Sequence, residues 1–158
     1  MNVLPALFGG STPVLPHVTW PIVPYEDESL AGFTARTCAH NGLWNSKVLV
    51  ADAGLRLPRG FGRLCRVSGE LSDLATRLAV DLSWVEERRH RSLDEHGAKR
   101  RRLVNFHGAV LRKAHLDYST LWMPPTAIVE QHYHREIWHV STIPACATTG
   151  ELLVGTCP

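Results

Sequence analysis

Between Pro24 and Gly42 the chain carries a helix with both of its ends marked, and the rest of the fold has to accommodate it. Pro24 closes an extended entry, and Asp27 is placed to cap the first turn by accepting a bond from an orphan N–H. Glu26 and Glu28 set further negative charge at the positive end of the helix dipole. Leu30, Phe33, Thr37 and Cys38 recur at i, i+3, i+7 and i+8, which makes one narrow apolar stripe, with Arg36 and His40 on the opposite face. Asn41-Gly42 supplies a left-handed stop. These features describe an amphipathic first helix whose stripe needs cover from the rest of the chain.

The neighbouring segments predict a mainly α architecture in three parts: an extended Pro-rich arm over 1–24, a helical domain over 25–122 and a small C-terminal piece over 123–158. The arm holds five prolines, from Pro5 to Pro24, together with Gly9-Gly10, and cannot stay helical for long. Its Trp20 either packs back on the core or anchors a partner, since indoles are favoured at interface centres. Ser46–Ala53 reads as a short helix ended by Gly54. Another follows over Phe61–Val67, weakened at Gly62 by about 1 kcal/mol relative to Ala. Leu71, Leu74, Ala75 and Leu78 form one apolar face. Ala79-Val80-Asp81 reads as a tight break, and Asp81 or Ser83 caps a second helix carrying Val85. Small residues at such a crossing give a helix-turn-helix-like hairpin. Glu86 and Glu87 on its second helix would repel phosphate, so that helix is not expected to read bases. Gly108 interrupts the next stretch, and Ala109–Tyr118 predicts a further helix with Leu111 and His115 on one face, before a boundary at Met123-Pro124-Pro125.

Charge and cysteine usage narrow the function classes. At 158 residues, 44% of them hydrophobic, the chain can bury one good core. Its net charge is only +2, yet Arg88, Arg89, Arg91, Lys99, Arg100, Arg101 and Arg102 face only Asp94 and Glu95 across that segment, a local +5. Such a concentration suits a DNA or RNA backbone, with a positioning role. Four widely spaced cysteines do not make a disulfide scaffold, and no apolar run approaches the ~20 residues of a membrane span. A cytoplasmic protein with reduced thiols and no membrane partner is the expectation. Nothing resembles a glycine-rich phosphate loop or a nucleophile elbow, Cys38 lies on the apolar stripe, and the carboxylate pairs are adjacent in sequence. Catalysis is therefore not expected. The pattern His132-x-His134-x4-His139 is the one alternative basis for a metal-dependent enzyme.

The C-terminal piece has the cadence of a zinc knuckle: Cys146-x2-Thr149-Gly150, then Cys157-Pro158. A structural zinc site normally uses four protein ligands. Cys146 and Cys157 are the two obvious ones, with the 132–139 histidines available to complete the set. The expectation is a degenerate zinc-ribbon or knuckle-like segment.

Three stretches together resemble the TniQ family of transposition targeting proteins. PYEDESLAGFTARTCAHNGL is similar to the family's opening pattern through Pro24, Asp27, Glu28-Ser29-Leu30, Phe33, Arg36 and Asn41-Gly42. YHREIWHVSTIPACATTGELLVGTCP is similar to its zinc segment, and the helical middle has its helix-turn-helix cadence. The chain departs from the pattern where Met123-Pro-Pro-Thr126 stands in place of Cys-x2-Cys and where Thr149 stands in place of a histidine. The resemblance implies a non-catalytic adaptor that bridges a target-site recognition complex, in some systems an RNA-guided CRISPR-associated effector, to an AAA+ ATPase transposition regulator. On that reading Trp20, Ile22 and Tyr25 contact the ATPase, and the basic segment contacts nucleic acid. A stand-alone helix-turn-helix regulator is the alternative.

Overall fold

The computed structural model describes residues 18–57, 60–93 and 102–155. Within them the protein is mainly α. The order is α1 (Leu30–His40), α2 (Ser46–Asp52), a 3-10 helix (Phe61–Arg66), α3 (Ser72–Leu78), α4 (Leu82–Glu87), a hairpin of β1 (Leu103–Phe106) and β2 (Ala109–Arg112), a 3-10 turn (Lys113–His115), α5 (Pro125–Glu130) and a last 3-10 turn (Glu136–His139). Among the described residues no helix is long and apolar enough to cross a membrane.

The apolar stripe of α1 is buried as its spacing predicts. Leu30, Phe33 and Cys38 join Leu49 and Val50 of α2, Leu64, Leu71, Leu74 and Leu78, and Val85 of α4 in the main core. Each large aliphatic or aromatic side chain withdrawn from water in this way contributes roughly 1.5–3 kcal/mol. Trp84 meets the Phe33 ring edge-on, with centroids 4.9 Å apart. The helix stops where expected, with Asn41 as its C-cap and Gly42 at φ 69°. It starts later than expected. Ser29, not Asp27, is the N-cap, and its hydroxyl accepts the Gly32 N–H at 3.0 Å. The reason lies far away in sequence. Glu28 is drawn inside by Arg36, whose Nε donates to it at 2.8 Å, and Asp27 is turned to Arg135 at 3.3 Å and to the Tyr133 hydroxyl at 3.0 Å.

Two further expectations change. Phe61–Arg66 is a 3-10 helix rather than α, packed so tightly that a Cβ on Gly62 would lie 2.8 Å from the Tyr118 carbonyl. The helix expected over Ala109–Tyr118 is instead the second strand of an antiparallel hairpin, with Phe106 opposite Ala109, followed by a 3-10 turn. His107 and Gly108 both take positive φ, 48° and 82°, which is the two-residue turn that matches strand twist. Val104 and Phe106 alternate inward and bury with Cys65, Leu116, Tyr118 and Val140 in a second cluster. Alternation therefore prevails over the helical spacing of Leu111 and His115. The α3–α4 pair is as expected in its apolar face, with Ala79 in the left-handed region at φ 55° and Asp81 preceding α4.

Residues 133–136 dock on residues 27–29, although about a hundred positions separate them. Ser29 N–H donates to the His134 carbonyl at 2.8 Å, and Glu136 N–H donates to the Asp27 carbonyl at 2.9 Å. The Ser29 hydroxyl, already accepting from Gly32, is also hydrogen-bonded to His134 Nδ1 at 2.9 Å. Tyr25 stacks on Tyr133 at 4.3 Å between centroids. Gly32 is required at this contact, because a Cβ there would stand 2.8 Å from the Cβ of His134.

Candidate nucleic-acid interface

The basic segment splits into parts that point in different directions. Arg88 is 4% exposed, which removes it from the solvent-facing set expected to touch a phosphate backbone. Its Nε donates to the Glu28 carbonyl at 2.9 Å, its other nitrogens reach the Glu26 and Trp84 carbonyls, and the guanidinium lies 3.9 Å from the Trp84 ring centroid. Burial pulls its proton affinity below the usual arginine value, against the opposing charge of Glu136. Arg89 donates to the Val67 carbonyl at 3.1 Å and to Glu86 at 3.3 Å, and the exposed Arg91 also pairs with Glu86. Arg102 is exposed at the base of β1, and Lys99, Arg100 and Arg101 lie outside the described residues.

An open cleft of about 530 Å³ runs beside Arg89 and Arg91, lined by Ser83, Glu86, Glu87, Asn105, His107 and Gly108 as well. Its two carboxylates offset its two guanidiniums, so it is a poor cradle for a polyanion. At the cleft His107 Nε2 pairs at 2.8 Å with Glu136, a buried carboxylate that also takes His90 Nε2 at 2.6 Å. With His90 Nε2 donating to Glu136, His90 Nδ1 is left to accept from the Tyr118 hydroxyl at 2.8 Å. Burial pushes the Glu136 carboxyl up, but the bonds and charges of His107 and His90 outweigh it and hold it below its ordinary value. Burial pushes the Tyr118 hydroxyl well up, so it stays a donor. Nothing in local spacing signalled this network, because its members come from four separate parts of the chain.

A second group of cations joins Arg102 to three that the sequence pattern did not single out, Arg63, Arg66 and Lys113. Arg63 and Arg66 lie three apart on the 3-10 helix, where residues at that spacing eclipse. Lys113 N–H donates to the Arg102 carbonyl at 2.7 Å and so brings those two residues together at the open end of the hairpin. Burial, and then the charges of Arg66, Arg102 and Arg63, hold the Lys113 amine below its usual value.

The expected partner-contact residues divide as well. Trp20 is 62% exposed, and Tyr25 is exposed at one edge of its stack on Tyr133. Ile22 packs against the main core. The Trp20 peptide is clamped by the Asn41 side chain, which accepts from its N–H at 2.8 Å and donates to its carbonyl at 2.9 Å. Asn41 therefore does more than end α1. Trp44, in the loop that follows, is fully exposed.

The metal expectation finds no ligand set among the described residues, where no three His, Cys, Asp or Glu are placed to hold an ion. Cys146 is buried with Ala127 and Trp138 in a third small cluster. Burial works to raise its thiol, but hydrogen bonds from Thr149 and Thr148 hold it below its ordinary value. Cys157 lies outside the described residues. The three histidines separate, with His132 exposed and His134 and His139 buried with their ring centroids 5.0 Å apart. No family model matches the chain, and no curated protein matches it.

Proposed function

We propose that the protein is a non-catalytic adaptor of DNA transposition, bridging a target-site recognition complex to an AAA+ ATPase regulator while contacting a nucleic-acid backbone. The observation that carries this reading is the docking of residues 27–29 on 133–136. The two stretches that resemble the TniQ family's opening and zinc-segment patterns meet residue by residue, as parts of one inherited unit would. Glu28, Ser29, Phe33 and Trp138 serve as scaffold in that contact and in the cores beside it. What the scaffold leaves outside is an indole on a clamped peptide, a second exposed indole, and cations that form no ion pair among the described residues. A held, exposed tryptophan suits an anchor, since less conformational freedom is lost when it binds. A stand-alone helix-turn-helix regulator is less well supported, because α4 is six residues long and ends in Glu86-Glu87.

Capture of a purified AAA+ ATPase transposition regulator tests the reading. Trp20→Ala is expected to weaken capture by roughly 2 kcal/mol, about thirtyfold in Kd, with an unchanged melting temperature. Undiminished capture would take Trp20 out of the interface. No capture by the unaltered protein would overturn the adaptor reading.

A further inference from the structure

Arg63, Arg66, Arg102 and Lys113 form, we infer, a binding surface for the sugar-phosphate backbone of duplex DNA that does not use the carboxylate-paired Arg89 and Arg91. The inference rests on the nucleic-acid part of the proposed function and deepens it by naming the residues and the ligand. Each cation is placed by backbone geometry. The 3-10 helix puts Arg63 and Arg66 on one side, and the hairpin register, with Leu103 opposite Arg112, leads directly to the Lys113–Arg102 bond. The Arg66 guanidinium rests 5.3 Å from the Tyr118 ring centroid, which orients it without neutralising it.

Among the described residues no carboxylate forms an ion pair with any of the four. Asp117, next to Tyr118, is committed to Ser119 and to Trp122 Nε1, which donates to it at 2.8 Å. Arg89 and Arg91, by contrast, share Glu86. Four like charges with no ion-pair partner among the described residues repel one another, and an anion laid across them relieves that repulsion. The cations are spread over a helical turn and a hairpin end, with Arg102 exposed and Arg63, Arg66 and Lys113 half-buried, rather than converging on a closed cradle. That layout fits a run of phosphates better than a single free one.

Anisotropy of a short labelled duplex against the full chain, titrated with salt, tests this. The unaltered protein should bind two unrelated sequences alike. Combining Arg63→Gln, Arg66→Gln and Lys113→Gln should make the slope of log K against log salt shallower by about 2 to 3, near 0.9 for each phosphate no longer neutralised. Arg63→Lys with Arg66→Lys should keep the slope, and Arg102→Gln alone should reduce it by about 1. These last two variants decide the matter if the triple variant folds poorly. Unchanged slopes in the Gln variants, with binding still weakened by Arg91→Gln, would overturn this inference alone. A protein that binds no duplex would overturn the nucleic-acid reading with it. Displacement by inorganic phosphate at constant ionic strength, stronger for the unaltered protein than for the triple variant, would make the cluster a free-phosphate site and overturn the duplex assignment.

Discussion

Glu136→Ala is expected to destabilise the fold by about 3–5 kcal/mol, because it removes one partner of a buried charged network and leaves the others in place. Glu136 is 2% exposed and takes His90 at 2.6 Å and His107 at 2.8 Å, with Arg88 Nε at 3.9 Å. Arg88 keeps its carbonyl acceptors in the variant but loses its nearest buried counter-charge, and His90 loses the acceptor for Nε2. Glu136→Gln retains the shape and one acceptor oxygen, so its cost should be nearer ~1–2 kcal/mol. Urea unfolding of both variants at neutral pH checks the ordering. An alanine variant within about 1 kcal/mol of the unaltered protein would mean that the network contributes little.

The second large effect is a loss of stability on mild acidification. Burial, and then the charge of His139, pulls His134 down to about 3, while burial and then His90 pull His139 down to about 4, both from an ordinary 6.5. In the unfolded chain each ring titrates near its ordinary value, so between pH 6.5 and 4 the unfolded chain binds more protons than the folded one. Stability therefore falls as pH drops through that window, by about 2 kcal/mol per ring at pH 5 relative to pH 8. The depressed Glu136 carboxyl adds a loss only at lower pH, as pH falls below its ordinary 4.5. The His107 imidazole, raised first of all by its hydrogen bond to Glu136, acts with the opposite sign. Its contribution is fully present below pH 6.5 and is lost as pH rises through its raised value, and its exposure keeps that contribution small. Unfolding free energies at pH 8 and pH 5 should show the net fall. His139→Gln should remove about half of it, whatever its effect at pH 8. Equal stability at the two pH values would contradict the buried placement of these rings.

The sequence revealed most where the signals were local. The stripe of α1, its Asn41-Gly42 stop, α2 with Gly54, and the apolar face of α3 all follow from spacing and turn chemistry. It misled where a distant partner decides. Asp27 has the chemistry of a cap, but Arg135 and Tyr133 claim it, and the cap passes to Ser29. The hairpin had a usable sign in Gly108 flanked by alternating apolar residues, but helical and strand spacing compete over so short a stretch. The run from Arg88 to Arg102 was legible as charge but not as direction. Arg88 turns inward to backbone carbonyls, Arg89 and Arg91 turn to Glu86, and Arg102 stays exposed, its carbonyl bonded to the Lys113 N–H. Trp20 was legible as an indole in a proline-rich arm, but its clamp by Asn41 was not.

Residues 27–29 and 133–136, distant in sequence, are expected to open and close with α1 as one cooperative unit. Native-state amide hydrogen exchange reads it at individual bonds. Ser29 N–H donates to His134, Glu136 N–H donates to Asp27, and Phe33 N–H donates to Ser29 within the helix start. All three amides should exchange only through global opening, with the same free energy and the same dependence on denaturant. Exchange of Ser29 and Glu136 at a much lower opening free energy than Phe33 would show the C-terminal stretch coming away independently of α1, the opposite of one cooperative unit.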